Sequence, residues 1–391
     1  MAVILRELYE SVKGKEEIQL VAGEAGLEHM VRWVHMVEGI DITSFLEGDE
    51  IAFTTGIALA DSSRLLELAE HTYRQQAAGM VINTGPYIRE IPQEVLIFGE
   101  RNGFPVFRVP WRVHMANIMR EFTERIYLEE QKKREVDTAV RNAFYFPDNP
   151  GMYLPFLLRN GYKKEWSYCV SVVETCSEEN GGMGGEAWSK YYRFMQAKVR
   201  NWQRDAVVME NGRELLILSV NHAGRPLQEV WDDFWQEGKK YRICGGDYFG
   251  GTGSVVETME EIGKSFAQAE QVMHLQKRRG RKNEWLDYGK TGLYKLLLSL
   301  EGQTVLGEYD KEILGALEQY DRVNGTELLD FLNVYFRAGC GIQETAAALH
   351  MHRNSVTYKI HKIEEILRVS LSLPLERTKI MVAFMIREID G

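Results

Sequence analysis

The sequence predicts a multidomain α/β and α+β protein that ends in an all-α helix-turn-helix domain. Three observations support this fold class. Short apolar strands alternate with helical patterns in residues 1–125, a second strand-containing block follows in 151–280, and residues 281–391 are helical in pattern. A chain of 391 residues can bury several separate cores. We therefore expect an N-terminal α/β domain, a helical linker over 126–150, an α+β middle domain and a C-terminal helical domain.

The N-terminal domain is predicted from apolar runs that alternate with helical patterns. Four such runs are interpreted as strands: Val31–Val37, Glu50–Thr54, Gly79–Asn83 and Pro105–Val109. Ser62–Gln75 and Pro92–Arg101 are predicted as the intervening helices, and the second has proline in its first turn, where the missing N–H costs no hydrogen bond. His114–Phe144 follows as a charged, helix-favouring stretch. Its charge pattern favours a solvated connecting helix, with a dimerising helix or signalling stalk as the alternative.

The middle domain is predicted to be a mostly antiparallel sheet with helices on one face. Val207–Val220 is predicted as a hairpin that turns on Asn211-Gly212, a dipeptide typical of tight hairpin turns. The remaining elements are two strands and two helices, namely Trp166–Glu174, Ala187–Asp205, Tyr241–Gly245 and Met259–Lys277.

The distribution of charge matters more than its total. The chain has a formal net charge of -10, yet residues Thr326–Gly391 contain eight basic and eight acidic side chains. Within that segment, His350–Lys362 has three basic residues, three histidines and no acid. Repulsion from the acidic remainder weakens nonspecific attraction to phosphate, whereas a local basic face can still dock on DNA.

Several classes of protein are disfavoured by what the sequence lacks. No apolar run approaches the roughly 20 residues of a membrane-spanning helix, and the N-terminus lacks the features of a secretion signal. The four cysteines are scattered, without a C-x-x-C pair, at Cys169, Cys176, Cys244 and Cys340. That spacing fits reduced thiols better than a zinc site or a disulfide framework. We expect a cytoplasmic protein without membrane association, metal site or cofactor.

Residues 342–367 carry the pattern of a helix-turn-helix. A short first helix, Ile342–Leu349, contains the small residues Ala346 and Ala347, which allow a second helix to cross closely. His350 falls at the turn, and histidine is among the few residues other than glycine that are enriched in the left-handed conformation. The second helix begins at Arg353 and places one apolar stripe inward, formed by Val356, Ile360, Ile363 and Leu367. A preceding helix, Glu327–Arg337, completes the core with Leu328, Phe331, Leu332 and Tyr335.

The polar face of this second helix is predicted to enter the major groove of double-stranded DNA. Its outward positions hold short donors and cations, namely Asn354, Ser355, Thr357, Tyr358, His361 and Lys362. Arg353, Lys359 and Lys362 can neutralise phosphates. The alternative is a helical hairpin that merely has a polar face. Because such motifs usually read paired half-sites, we also expect a homo-oligomer, at least a dimer.

The stretch ETAAALHMHRNSVTYKIHKIEEIL resembles the helix-turn-helix of the purine catabolism regulator (PucR) family. His352, Arg353, Asn354, Tyr358 and Ile360 match that family's motif, which adds His352 to the predicted DNA-binding residues. Residues 31–59 and 77–111 resemble the family's N-terminal sensor domain, and the middle domain looks like its degenerate GGDEF-like domain. The resemblance implies a regulator of purine or nitrogen catabolism genes with a purine-pathway metabolite as effector. A sugar-diacid-responsive regulator with the same helix-turn-helix is the alternative.

A small-molecule site is predicted where strands of the N-terminal sheet end. Thr54, Thr55 and Gly56 follow a strand, and open α/β sheets place ligands at such ends. Asp41, Asn83 and Gly85 are further effector-binding candidates at comparable positions. The alternative is that these residues only shape turns.

The segment Gly245–Phe249 reads GGDYF and resembles the signature of diguanylate cyclases. A nucleotide-binding or cyclase-like signalling enzyme is therefore the rival from another class. In active cyclases the signature sits on the turn of a central hairpin, whereas here it is predicted between a strand and the final helix. GGDYFGGTGS also lacks the Gly-Lys-Ser/Thr ending of a phosphate-binding loop. We therefore predict no enzymatic activity and no catalytic residues.

Overall fold

The computed structural model describes residues 3–59, 64–176, 185–221, 226–300 and 302–390. They fall into two compact units, Met1–Thr138 and Ala139–Gly391. Across these described ranges, no helix is both long enough and apolar enough to cross a lipid bilayer.

The N-terminal unit is built on a sheet whose strands run in the order β2-β7-β6-β5-β4. Strands β4 to β7 are mutually parallel, and β2 pairs with β7 in the antiparallel sense. The elements are β1 (Val3–Ile4), α1 (Leu5–Lys13), β2 (Gln19–Ala22), β3 (Met30–Val31), β4 (Trp33–Met36), β5 (Glu50–Thr54), α2 (Leu65–Arg74), β6 (Gly79–Thr84), α3 (Gln93–Asn102), β7 (Val106–Pro110) and α4 (Met115–Tyr145). A short 3-10 helix, Ile40–Phe45, connects β4 to β5.

Both faces of this sheet are covered by helices. Phe53 belongs to a core shared with α1 and α4, whereas its neighbour Ala52 packs in a second core with α2 and α3. Every residue of β5 is therefore buried, as expected for a strand of a parallel sheet. The α/β prediction for this region is confirmed.

Two details of the N-terminal prediction are wrong. Val31–Val37 is not one strand, because β3 pairs with β1 in a separate two-stranded sheet while β4 joins the main sheet. The chain changes sheets at Arg32, whose N–H donates to the carbonyl of Asp49. Pro92 is the N-cap of α3 rather than a residue of its first turn. The first two residues of the helix predicted over Ser62–Gln75 lie outside the described ranges, and α2 forms within the remainder.

The long helix α4 has a charged, solvated surface. Four ion pairs join side chains one turn apart along it, which are Arg120–Glu124, Arg125–Glu129, Arg134–Glu130 and Lys133–Asp137. Such pairs support an isolated helix by a few tenths of a kcal/mol each. The pattern agrees with a solvated connecting helix, and the dimerising alternative stays a prediction.

The second unit begins with a five-stranded sheet in the order β12-β11-β8-β10-β9. All neighbouring strands are antiparallel except β11 and β12. The elements are α5 (Leu154–Arg159), β8 (Tyr168–Cys176), α6 (Gly185–Trp202), β9 (Val207–Asn211), β10 (Glu214–Val220), α7 (Leu227–Lys240), β11 (Asp247–Thr252), α8 (Ile262–Arg278) and β12 (Glu284–Asp287).

The prediction of helices on one face of this sheet is wrong. Helices α6 and α7 cover one face through a core that includes Tyr191 and Trp231, and α8 packs against β8 and β11 on the other. Strand β10 shows the same two-sided cover. Its residues 215–220 are all buried, whereas a strand with one face in solvent would alternate buried and exposed side chains.

Two local predictions in this sheet are also corrected. Tyr241–Gly245 is not a strand, because α7 extends to Lys240, Tyr241 caps it and Arg242 has a positive φ of 56°. The hairpin turns on Gly212-Arg213 instead of Asn211-Gly212, since Asn211 pairs directly with Glu214. Gly212 supplies the positive φ, 63°, at the first turn position.

The remaining residues form six helices within the described part of the chain. They are α9 (Tyr294–Leu298), α10 (Thr304–Asn324), α11 (Leu328–Arg337), α12 (Ile342–Ala348), α13 (Arg353–Leu367) and α14 (Pro374–Asp390). Glu388 of α14 forms ion pairs with Arg279, which follows α8, and with Arg337 of α11, and it accepts a hydrogen bond from Tyr294. Helix α14 thus joins the middle sheet's helix α8 to the helix-turn-helix.

Candidate nucleic-acid interface

The second helix of the predicted motif, α13, is held by its apolar stripe. Val356 and Ile363 are fully buried and Ile360 is nearly so, while Leu367 is half-buried at the end of the helix. They pack with four buried side chains of α11, which are Leu328, Phe331, Leu332 and Tyr335. The predicted core of the motif is therefore confirmed.

The turn between α12 and α13 has the predicted left-handed residue. His350 has a φ of 52°, and the N–H of Met351 returns to the carbonyl of Ala346 at 2.9 Å. Ala346 packs in the core, as expected for a close helix crossing, whereas Ala347 is exposed. The buried residue beside it is Thr345, whose hydroxyl donates to the carbonyl of Gly341.

His352 forms the N-cap of α13. Its Nδ1 accepts a hydrogen bond from the backbone N–H of Asn354 at 3.2 Å, satisfying one of the donors that a helix start leaves free. In this arrangement Nδ1 carries no proton, so the neutral ring has its N–H on Nε2. The sequence had placed His352 only among DNA-contacting residues, and this structural role was missed.

The other predicted residues divide into two groups by exposure. Arg353, Asn354, Ser355, Tyr358 and His361 are exposed, and Tyr358 keeps 70% of its surface in solvent. Thr357, Lys359 and Lys362 are half-buried along the flanks of the helix. The hydroxyl of Thr357 donates to the carbonyl of Arg353, one turn earlier, so it points along the helix.

Both flanking lysines stand over aromatic rings. The ammonium of Lys359 lies 5.2 Å from the ring centre of Phe331, and that of Lys362 lies 5.5 Å from the ring centre of Tyr320. Lys362 also donates to Glu365 at 2.8 Å, and this hydrogen bond raises the pKa of Lys362. Both ammonium groups are thus held on one side of α13.

These lysines line an open groove of about 700 Å³ beside α13. One wall is α13 itself, with Asn354, Ser355, Tyr358, Lys359 and Lys362. The other wall is the end of α10 and the turn into α11, with Tyr320, Gly325, Thr326, Glu327 and Leu328. This groove was not predicted from the sequence. The glycine that follows the helical pattern of α10 is a signal for a turn at Gly325, but the position of that turn beside α13 depends on tertiary packing.

In the N-terminal unit, the predicted effector residues Thr54, Thr55 and Gly56 surround one carboxylate. Glu38 accepts hydrogen bonds from both threonine hydroxyls and from the backbone N–H groups of Thr55 and Gly56, at 2.9 to 3.2 Å. Thr54 and Gly56 are buried, and Gly56 has a φ of 76°. The sequence did not single out Glu38, although it follows β4 and therefore lies at the same edge of the sheet.

The other predicted effector residues lie near the ends of neighbouring elements. The side-chain amide of buried Asn83 donates to the carbonyls of Val109 and Pro110, both at 3.2 Å. Gly85 follows β6 and lies so close to the side chain of Trp111 that a Cβ would approach it to 2.6 Å. Asp41 is exposed in the 3-10 helix after β4. The described strands β4-β5-β6-β7 follow one another in the sheet without a reversal of order, and the effector-binding role of these residues stays a prediction.

The GGDYF segment runs into strand β11 of the middle sheet instead of lying between a strand and the final helix, which corrects the predicted position. Gly245 and Gly246 precede the strand, and Asp247 begins it. Tyr248 to Gly251 are buried in β11, between β8 and β12. The carboxylate of Asp247 is paired with Lys282 at 3.0 Å and accepts a hydrogen bond from Asn283, and both contacts lower its pKa. Among the described residues, no group of three or more His, Cys, Asp or Glu side chains is arranged to hold a metal ion.

Two segments of the chain match known family models. Residues 8–126 match the purine catabolism regulatory protein-like family, and residues 328–386 match the PucR C-terminal helix-turn-helix domain. The chain therefore carries a PucR-type N-terminal domain and a PucR-type helix-turn-helix, which confirms the resemblance for both ends.

Three curated relatives are bacterial regulators. The proline-responsive transcriptional activator PutR of Bacillus subtilis is 31% identical over 31% of this chain and 30% of its own length. The purine catabolism regulatory protein of the same organism is 29% identical over 32% of this chain and 23% of its own length. The carbohydrate diacid regulator of Escherichia coli is 24% identical over 70% of this chain and 71% of its own length. The first two similarities thus span less than a third of each relative.

Proposed function

We propose that this chain, with its PucR-type domains at both ends, is a DNA-binding transcription regulator controlled by a small metabolite. The observation that carries the proposal is the exposed, acid-free face at the start of α13, held by a buried stripe within a matching helix-turn-helix domain. From His352 to Lys362 this face is about 15 Å long, and a helix about 10 to 12 Å wide with its side chains suits a major groove about 12 Å wide.

The proposal is tested by removing a cation from that face. Arg353→Ala is expected to weaken binding to a random-sequence duplex of about 40 base pairs by about five- to tenfold, and Lys362→Ala should act alike. Each variant should also reduce the slope of log affinity against log salt by about one unit, because one phosphate contact is lost. The measurement is fluorescence anisotropy with labelled duplex over a range of salt concentrations. Lys311→Ala, an exposed lysine of α10, is the matched control. Unchanged affinity in both Arg353→Ala and Lys362→Ala would contradict the proposal.

The effector is proposed to be a purine-pathway metabolite that binds the N-terminal domain. Support comes from the match of residues 8–126, whereas the names of the relatives point to proline, purines and carbohydrate diacids. A purine base should therefore raise the midpoint of thermal unfolding and change affinity for an operator duplex selected from genomic fragments. Proline and a hexose diacid are tested alongside it. If the diacid alone gave both changes, the sugar-diacid alternative would replace the purine assignment.

We further propose that the protein works as a homodimer and that its middle domain is a degenerate GGDEF-like domain without cyclase activity. In support, the turn Gly212-Arg213 lies in the hairpin where an active cyclase carries its signature, whereas the last three residues of GGDYF begin strand β11, in which Tyr248 and Phe249 are buried. Metabolite binding would then shift the balance between domain arrangements and so change the freedom of the two α13 helices.

A further inference from the structure

We propose that the groove between α13 and the α10–α11 turn holds one sugar–phosphate strand of bound duplex DNA, and that Glu327 in its wall limits the affinity. The inference depends on the proposed function, because it concerns how the same helix contacts DNA. It adds a second element, outside the predicted helix-turn-helix, to the interface.

The position of the groove follows from the size of a helix in DNA. An α-helix with its side chains is about 10 to 12 Å wide and fills a major groove of about 12 Å, so one phosphate strand must pass along each flank of the helix. The groove of about 700 Å³ lies along one flank and shares Asn354, Ser355 and Tyr358 with the exposed face. A duplex that contacts these three side chains therefore brings a phosphate strand to the groove.

The lysines of the groove are held in place before DNA arrives. Phe331 and Tyr320 lie under the ammonium groups of Lys359 and Lys362. An ammonium group has three N–H donors, so a ring contact and the bond from Lys362 to Glu365 still leave a donor for a phosphate oxygen. Tyr320 is thus a positioning residue for Lys362. Tyr320→Leu should weaken duplex binding, and Tyr320→Phe should retain it.

Two acids near the α10–α11 turn have different roles, and of the two only Glu327 lines the groove. Asp321 accepts hydrogen bonds from the N–H groups of Leu328 and Leu329 and from the hydroxyl of Thr326, at 2.5 to 3.0 Å, so its charge stabilises the start of α11. Glu327 is the N-cap residue of the same helix, but its side chain makes no capping hydrogen bond. It is exposed and lines the groove. Its carboxylate therefore repels a phosphate strand without being needed for the fold.

The test is a charge reversal that should tighten binding, a result that misfolding cannot produce. Glu327→Lys is expected to raise the affinity for a random-sequence 40-base-pair duplex by about fivefold or more and to steepen the salt slope by about one unit. The matched control is Glu308→Lys, which makes the same charge change at an exposed position of α10. Sixteen residues separate Glu308 from the end of that helix, or about 24 Å, which is beyond two Debye lengths at physiological salt. The control should stay within twofold of the parent protein.

The outcomes separate this inference from the proposed function. If Glu327→Lys and Glu308→Lys raise the affinity for duplex equally, the affinity depends only on the net charge of the protein. That result contradicts the phosphate-binding role of the groove. If Arg353→Ala loses affinity and Glu327→Lys leaves it unchanged, the phosphate-binding role of the groove is contradicted, but the proposed DNA-binding function is retained. Failure of the parent protein to bind duplex even at low salt overturns both.

Discussion

Glu38→Gln is expected to lower the stability of the N-terminal unit by about 2 to 3 kcal/mol. The carboxylate accepts four hydrogen bonds, from the hydroxyls of Thr54 and Thr55 and from two backbone N–H groups. A glutamine of nearly the same shape has one acceptor oxygen, and its NH₂ group faces donors that then lack a partner. An unsatisfied, partly buried donor costs about 1 to 3 kcal/mol.

The effect is measured as hydrogen exchange of the peptide that contains β5, combined with denaturant unfolding of the whole chain. Exchange in residues 50–59 should accelerate strongly, while α13 keeps the protection of the parent protein. Glu24→Gln, an exposed glutamate of the same unit, serves as the control and should change neither. Parent-like protection of β5 in Glu38→Gln would show that the four hydrogen bonds do not stabilise the loop.

The same contacts bear on where an effector can bind. Because Thr54 and Thr55 already donate to Glu38, a ligand at this edge must either replace that carboxylate or bind other groups. A ligand with its own carboxylate could accept the same four donors if Glu38 moved away. Glu38→Gln therefore also tests the proposed effector site, since loss of metabolite binding without global unfolding would place the ligand beside this loop.

Local sequence signals were reliable where one element determines its own structure. The stripe of α13 and the left-handed turn at His350 follow from helical periodicity and from the conformational preference of one residue. β5 was predicted with its observed bounds, and its apolar centre, Ile51–Phe53, is what a strand buried on both faces requires.

The predictions that were wrong or missed all concern residues whose structure depends on partners far away in the sequence. Tyr241–Gly245 contains residues that favour strands, but the C-terminus of α7 and the positive φ of Arg242 determine its conformation. Glu38 was missed because its partners lie 16 to 18 positions later and meet it only when β4 and β5 pair. The groove beside α13 was missed for the same reason, since the α10–α11 turn reaches it only through tertiary packing.

Gly251→Ala is expected to destabilise the middle sheet by about 3 kcal/mol, because the last glycine of GGDYFGG lets α8 pack closely on the sheet. A Cβ at Gly251 would lie 2.5 Å from the carbonyl oxygen of Ala269 and 2.6 Å from the nitrogen of Met273, both in the backbone of α8. Backbone atoms cannot rotate away as a side chain can, so α8 would have to shift from the sheet. The measurement is the midpoint of urea unfolding, and a parent-like midpoint would contradict the packing role.

The first glycine of the same motif provides the matched variant. Nothing lies within 4 Å of a Cβ at Gly245, and its φ is not positive, so Gly245→Ala should leave the unfolding midpoint unchanged. A cyclase-like enzyme predicts the reverse pattern, because its signature glycine would have to let nucleotide phosphates approach the backbone. Loss of a GTP- and magnesium-dependent activity in Gly245→Ala, with the fold intact, would favour that rival. If only the glycine in contact with α8 affects stability and neither variant changes such an activity, the segment has a packing role instead.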